Sequence, residues 1–126
     1  MTKEFDFKLE NGETEKMKFR ASGLTPTLYK HLTGSDLIAS LYPAFESGDG
    51  ADAYAVTPEL AFVMYAQANP EKYDPKKLTE EDFEDWLDSL ESFEIENHVD
   101  EILTMYMASA VTKSVPKNMK SPSIGQ

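Results

Sequence analysis

The segment from 22 to 41, SGLTPTLYKHLTGSDLIASL, constrains the fold of this chain more than any other part of it. Its Thr-Pro pair at 25–26 is typical of a helix N-cap followed by proline at the first helical position. Gly34 is suited to a left-handed C-cap, and the Ser-Asp pair at 35–36 is suited to begin the next helix. The segment therefore predicts two short helices, the second of which should kink or end at Pro43.

Residues 4 to 20 predict a β-hairpin, because apolar and charged residues alternate on both sides of an Asn-Gly pair at 11–12. A two-residue Asn-Gly loop would set Phe5 against Lys18, so a three-residue loop at 11–13 is expected instead. The strand pairs expected in that register are Phe5–Phe19, Phe7–Met17, Glu4–Arg20, Asp6–Lys18 and, less favourably, Lys8–Lys16.

Three further helices are predicted after a loop at 47–53. A second Thr-Pro pair, at 57–58, predicts the start of a helix that runs to about Ala68 and is apolar nearly all round, as a central buried helix would be. Thr79 and Asp82 form a capping-box pattern that opens the next helix. The last helix is expected over about 97 to 112.

The fold class predicted from this order is α+β, with an N-terminal β-hairpin packed on a mainly α-helical bundle of about five helices. The length of 126 residues fits one domain, which we place at 1–113. The remainder, 114–126, is rich in serine, proline and lysine and is expected to be a flexible tail.

The charge balance bounds the classes of partner. Twelve Lys and Arg against 23 Asp and Glu give a formal net charge of −11, which disfavours nucleic acid and anionic membranes. The chain has no cysteine, so disulfides and thiolate metal sites are excluded. Its first ten residues lack the apolar core of a signal peptide, and no apolar run is long enough to span a bilayer. We expect a cytoplasmic protein.

No candidate catalytic, cofactor or metal site emerges from the sequence. His31 and His98 lie far apart and are best interpreted as polar helix residues. Asp49 and Asp52 lack the remainder of a calcium loop, and the carboxylates at 80–88 fit the polar face of a helix. We therefore expect a protein that is not an enzyme and uses no cofactor.

Methionine and aromatic residues of the last helix are the candidate partner-binding residues. Methionine side chains adapt to varied partners and recur on protein-binding surfaces, although the sequence favours core packing as their role. The candidates are Ile102, Met105, Tyr106 and Met107.

Four parts of the chain stand in an order shared with a known family: a short β-rich start, RASGLTPTLYKHLTGSDLIASL, LAFVMYAQANP and FEDWLDSLESF, followed by a last helix. This order resembles the tail assembly chaperones of long-tailed phages and prophages of Gram-positive bacteria. The resemblance covers about residues 18 to 112. Its strongest pieces are Leu24-Thr25-Pro26 with Tyr29, Gly34 with Asp36, and Phe83 with Trp86-Leu87.

The resemblance implies a protein of the host cytoplasm that binds the long, mostly helical tape measure protein and keeps it soluble during tail morphogenesis. Such chaperones are not expected in the mature virion, and a longer form is often made by ribosomal frameshifting. The tail tube protein is a second candidate partner, and self-association is left open.

Two other functions compete with this hypothesis. One is a structural tail-completion or head–tail joining protein, which would be part of the virion. The other is an acidic mimic of DNA, which the interspersed lysines disfavour.

Overall fold

The computed structural model describes the backbone of residues 1–47 and 50–114 and the side chains of residues 1–43 and 55–110. In chain order, the elements are β1 (Thr2–Lys8), β2 (Thr14–Arg20), α1 (Thr25–Thr33), α2 (Leu37–Ser47), α3 (Gly50–Ala68), α4 (Glu80–Asp88), α5 (Glu94–Asn97) and α6 (Val99–Ser114). The predicted α+β class is confirmed. The single turn α5 was not predicted, and α6 ends two residues later than expected. The rest of the predicted tail lies outside the described residues.

Helix α3 lies at the centre of the molecule, where β2 and all of the other helices contact it. Every side chain from Leu60 to Ala66 is buried. The prediction of a central helix that is apolar nearly all round is therefore confirmed. Because neighbours cover it on every side, the helix needs no polar face.

The predicted start of α3 is wrong. The helix begins at Gly50, so that 50–53 are helical rather than part of a loop, and Pro58 lies inside it. Proline cannot donate the N–H bond of its turn. The longer helix nevertheless buries Val56 and Thr57 and packs against α2. Tertiary packing therefore outweighs the local signal of the Thr-Pro pair.

The sequence predicted that α2 would kink or end at Pro43, and the helix does not end there. Pro43 lies inside α2, and the helix continues beyond it to Ser47.

The caps predicted at the end of α1 and at the start of α2 are confirmed. Gly34 is left-handed and its N–H donates to Lys30 O at 2.7 Å, while Asp36 Oδ1 accepts the N–H of Ala39 at 2.9 Å.

The hairpin register differs from the predicted one by two residues. Phe5 lies opposite Met17 and Asp6 opposite Lys16, with 3.2 Å between Asp6 Oδ1 and Lys16 Nζ. The loop does have three residues, but they are 10–12, because the N–H of Leu9 donates to Glu13 O at 2.8 Å.

Gly12 decides this register. Its φ is 90°, the left-handed conformation that closes a three-residue hairpin loop and that glycine adopts without a steric penalty. Placing Gly12 last in the loop moves the loop by one residue and the pairing by two. A shift of two keeps every side chain on its predicted face. It also sets Lys8 opposite Thr14, which removes the unfavourable Lys8–Lys16 pair.

Helix α1 begins differently from the prediction. Its N-cap is Leu24, which makes no side-chain capping bond. The hydroxyl of Thr25 is buried and donates to Gln67 Oε1 at 2.6 Å, while accepting the N–H of Ser22 at 3.0 Å. Thr25 therefore joins α1 to α3 instead of capping α1.

None of the helices among the described residues combines the length and the apolar character required to cross a membrane.

Candidate functional site

Helix α4 forms one wall of the candidate site, and its start is fixed by the predicted capping box. Thr79 Oγ1 accepts the N–H of Asp82 at 3.0 Å, and Asp82 Oδ2 accepts the N–H of Thr79 at 3.3 Å. Acidic residues fill the first turn, where the helix dipole favours negative charge.

Aromatic packing fixes the orientation of α4 on α3. The ring of Trp86 lies 5.4 Å from that of Phe62 and stacks at 5.4 Å on that of Tyr65. Phe83 is 5.8 Å from Phe62. Because Trp86 and Phe83 face α3, the exposed carboxylates on the other faces of α4 point away from the core.

The segment after α4 is attached to the end of the hairpin. Leu9 and Leu90 form an isolated antiparallel bridge. The N–H of Glu10 donates to Ser89 O, and the N–H of Glu91 donates to Lys8 O, each at 2.9 Å. These backbone bonds hold 89–91 in place as the floor of the site.

Phe93 is the most exposed large apolar side chain of the described residues, with 75% of its surface accessible. Its backbone has φ 68° and ψ 7°, in a turn that the N–H of Glu94 closes on Glu91 O at 3.0 Å. Glycine or asparagine is usual at a left-handed turn position, and a bulky residue there is an outlier. A strained aromatic side chain in solvent is a feature that folding alone does not explain.

A groove of about 660 Å³ lies beside Phe93, between α4, α5 and the hairpin loop. Volumes of roughly 300–1,000 Å³ are typical of ligand-binding clefts. The apolar residues that line it are Pro58, Leu87, Leu90, Phe93 and Ile95. Leu90 and Ile95 are buried beneath it, whereas Phe93 projects at the edge.

The polar lining of this groove is strongly acidic. It holds no lysine or arginine, and its carboxylates are Glu10, Glu84, Asp88, Glu91, Glu94 and Glu96. Among the side chains that the structure describes, all of these except Glu94 lack a basic partner within salt-bridge distance. The groove therefore presents an apolar floor with uncompensated negative charge around it.

Glu94 connects this groove to the core. Its carboxylate is buried and accepts the backbone N–H of Lys8 at 2.9 Å. The ring of His98 contacts it through Nε2 at 2.9 Å. Burial would raise the pKa of Glu94, but these bonds and one from Asn97 hold that pKa below its usual value.

His98 lies between two carboxylates, since its Nδ1 contacts Glu101 while Nε2 contacts Glu94. Its ring stacks on Phe7 with centroids 4.0 Å apart. A neutral imidazole carries a hydrogen on one nitrogen only, so Nδ1 and Nε2 can both donate to these carboxylates only in the imidazolium form. The histidine does not line the groove, and this arrangement fixes α5 and α6 against β1.

The four sequence-predicted partner-binding residues lie on α6, where the structure gives them a different environment. Ile102, Met105 and Tyr106 are buried, and Met107 is half-buried against the same core. These side chains serve the core in this conformation. Partner contact through them stays a prediction that requires α6 to move.

Helix α2 carries a second exposed apolar surface. Ile38 and Tyr42 are 54% and 57% exposed, and their i, i+4 spacing sets them on one face. Leu37 and Leu41, on the neighbouring face of the helix, are buried. The predicted apolar pattern of α2 is thus divided between core and solvent.

The other candidates from the sequence are not brought together. His31 is exposed on α1, far along the chain from the His98 cluster, and Asp49 and the side chain of Asp52 lie outside the described residues. Within the described part of the chain, no group of three or more His, Asp or Glu side chains is arranged to hold a metal ion.

Comparisons with known proteins identify no relative. No protein-family model matches this chain, and comparison with curated proteins and with solved structures gives no significant match.

Sequence reasoning missed Phe93 and the groove. The 80–88 carboxylates were correctly assigned to a helix face, but nothing in the sequence showed that Glu84 and Asp88 share a groove with Glu10. The usable signal was Ser92-Phe93 between two helices, a linker that contains a bulky aromatic residue where a turn residue is expected.

Proposed function

We propose that this protein is a tail assembly chaperone that binds the tape measure protein and keeps it soluble in the host cytoplasm during tail morphogenesis. The proposal takes the function from the sequence resemblance. The structural observation that supports it most is the strained, exposed Phe93 beside an open groove. An exposed apolar surface of this kind is typical of protein-binding sites.

The charge of the chain suits such a role. A chaperone that holds an aggregation-prone partner must itself stay soluble, and a net charge of −11 favours solubility. The exposed side chains on α2 offer a second apolar contact for a long partner. Binding and release require no chemical step, so the proposed function is not enzymatic.

The test is co-expression with the tape measure protein of the same gene cluster, followed by fractionation and affinity capture. We expect the tape measure protein to become soluble and to be retained by the parent chain. Replacing Ile38 and Tyr42 together by serine should reduce retention. Leu24→Ser, which changes an exposed apolar residue at the start of α1, is the matched control.

Two results would contradict the proposal. The first is a tape measure protein that stays insoluble beside a well-folded partner. The second is recovery of the chain in purified virions, which would favour the alternative of a tail-completion or head–tail joining protein.

A further inference from the structure

We infer that the groove beside Phe93 binds a basic amphipathic helix, with the apolar stripe of that helix on the groove floor and its Lys or Arg side chains on the surrounding carboxylates. This inference deepens the proposed function, on which it rests only for the identity of the protein that carries the helix. The chemistry of the bound segment is inferred from the residues that line the groove.

Charge complementarity indicates that the partner carries positive charge. Five carboxylates of the lining have no basic partner among the described side chains, and the lining contains no Lys or Arg. An apolar segment with acidic flanks would place like charges close together. A segment with basic flanks gains from each contact and associates faster.

The arrangement of the lining favours a helix over an extended segment. The apolar floor has carboxylates beside it, with Glu84 and Asp88 on α4 and Glu91 and Glu96 on the turn and α5. A helix carries polar residues directly alongside its apolar stripe, so both reach the groove. An extended chain alternates its side chains, which would direct its charges away from the carboxylates.

Phe93 supplies the aromatic contact that such a site requires. Its side chain stands at the edge of the groove with 75% of its surface open to solvent. A bound helix would cover that surface. Aromatic residues that become buried on binding contribute a large share of interface energy, which would account for a bulky residue at a left-handed position.

The experiment measures binding of the full chain to a fluorescent peptide of about 18 residues, five helical turns, built from leucine and lysine with leucine at i, i+3, i+4 and i+7. A scrambled peptide of identical composition is the control for attraction by net charge. We expect the amphipathic peptide to bind at least about tenfold more tightly than the scrambled one. Amide chemical-shift changes should map to 84–96.

Two pairs of variants on α4 provide a matched comparison. Glu84→Gln with Asp88→Asn removes two charges from the groove. Glu81→Gln with Asp85→Asn removes two exposed charges of the same helix that do not line it. The total charge changes equally in both pairs, so a difference between them reports the position of the carboxylates. The groove pair should weaken binding by about fivefold and the control pair by less than about twofold, because only the groove pair removes carboxylates that contact the bound helix.

Phe93→Asn tests the aromatic contact without loss of charge, and we expect about tenfold weaker binding with the circular dichroism spectrum unchanged. Equal binding of the two peptides, or equal effects of the two variant pairs, would overturn the inference. Peptide binding without effect on the tape measure protein would contradict the proposed function alone. A solubilised tape measure protein with no peptide binding would contradict this inference alone.

Discussion

At the scale of single residues, Phe93 and Glu94 are neighbours with opposite environments. Phe93 is apolar, exposed and left-handed, while Glu94 is charged, buried and hydrogen-bonded. Both exceptions occur at the junction of the groove with the core. Local departures from the usual preferences tend to concentrate at functional sites.

Phe93→Asn should raise the free energy of unfolding by about 0.5–1 kcal/mol, because asparagine tolerates the left-handed region better than phenylalanine. Little apolar burial is lost, since the ring is mostly in solvent. Urea unfolding measures the change. Phe93→Ala is the control, because alanine keeps the Cβ that causes the strain. An asparagine variant no more stable than the alanine variant would contradict the assignment of strain.

Glu94→Gln should lower the free energy of unfolding at pH 7 by about 1–3 kcal/mol, because a buried hydrogen-bonded charge is lost. The folded pKa of Glu94 lies below the ordinary value of 4.5. Its carboxylate therefore stabilises the folded state above pH 4.5, and the contribution is lost as the pH falls through the folded pKa.

Urea unfolding of parent and variant across the acid range tests this dependence. The difference in free energy of unfolding between parent and variant should be largest near neutral pH and should decrease as the pH falls below 4.5. Glu96→Gln, an exposed carboxylate of α5, should change stability by less than about 0.5 kcal/mol. A parent–variant difference that stays constant into acid would show that the charge of Glu94 is not what stabilises this junction.

At the scale of elements, the hairpin depends on the conformation of one glycine. Gly12 and Gly23 both have open space where a Cβ would be placed, but only Gly12 has a positive φ. Gly12→Ala should cost about 1–2 kcal/mol. Gly23→Ala should be neutral or stabilising by up to about 1 kcal/mol. Thermal unfolding of the two variants measures the contrast, and equal effects would contradict the loop geometry.

The sequence predicted the elements better than their ends. The caps predicted at Gly34, Asp36 and Thr79 are confirmed, because local hydrogen bonds determine them. The cap predicted at Thr25 is wrong, because its hydroxyl bonds to α3 instead. The Thr-Pro signal at 57–58 failed because packing extended α3 through it. Local patterns do not report the neighbours that decide such a competition.

The candidate site was less predictable than the fold. The groove joins Glu10, Pro58 and residues 84–96, which are distant in sequence, so no local pattern contains it. The predicted α6 residues carried the right chemistry for a binding surface, but that chemistry suits a core equally well. Burial distinguishes the two, and burial is a property of the assembled molecule.

At the scale of the whole molecule, a few buried polar contacts join the elements around α3. Thr25 and Gln67 join α1 to α3, and the hydroxyl of Ser109 on α6 donates to Ala21 O at 3.2 Å. Gln67 also donates to Ser22 Oγ at 3.0 Å. These bonds specify the relative positions of elements that apolar packing alone would allow to slide.

Thr25→Val should therefore lower the free energy of unfolding by about 1–3 kcal/mol, because it leaves the buried Oε1 of Gln67 without its donor. Thr27→Val makes the same chemical change at an exposed position of α1 and should have little effect. Adding Gln67→Leu to Thr25→Val should recover part of the loss. Chemical unfolding of the parent, Thr25→Val, Gln67→Leu and the double variant forms a double-mutant cycle, and simple additivity of the two changes would contradict the contact.

The contact between Lys8 and Glu94 joins residues that are 86 positions apart in the chain. An isolated two-stranded hairpin is marginally stable in water. Helix α3 covers this one through β2, and Leu90, Glu94 and His98, near the far end of the described sequence, cover it through β1 and the loop. During translation the hairpin leaves the ribosome well before Leu90, Glu94 and His98 do. The packing of the hairpin is therefore completed late, and a nascent chain shorter than about residue 98 leaves Phe7 without the stacked ring of His98.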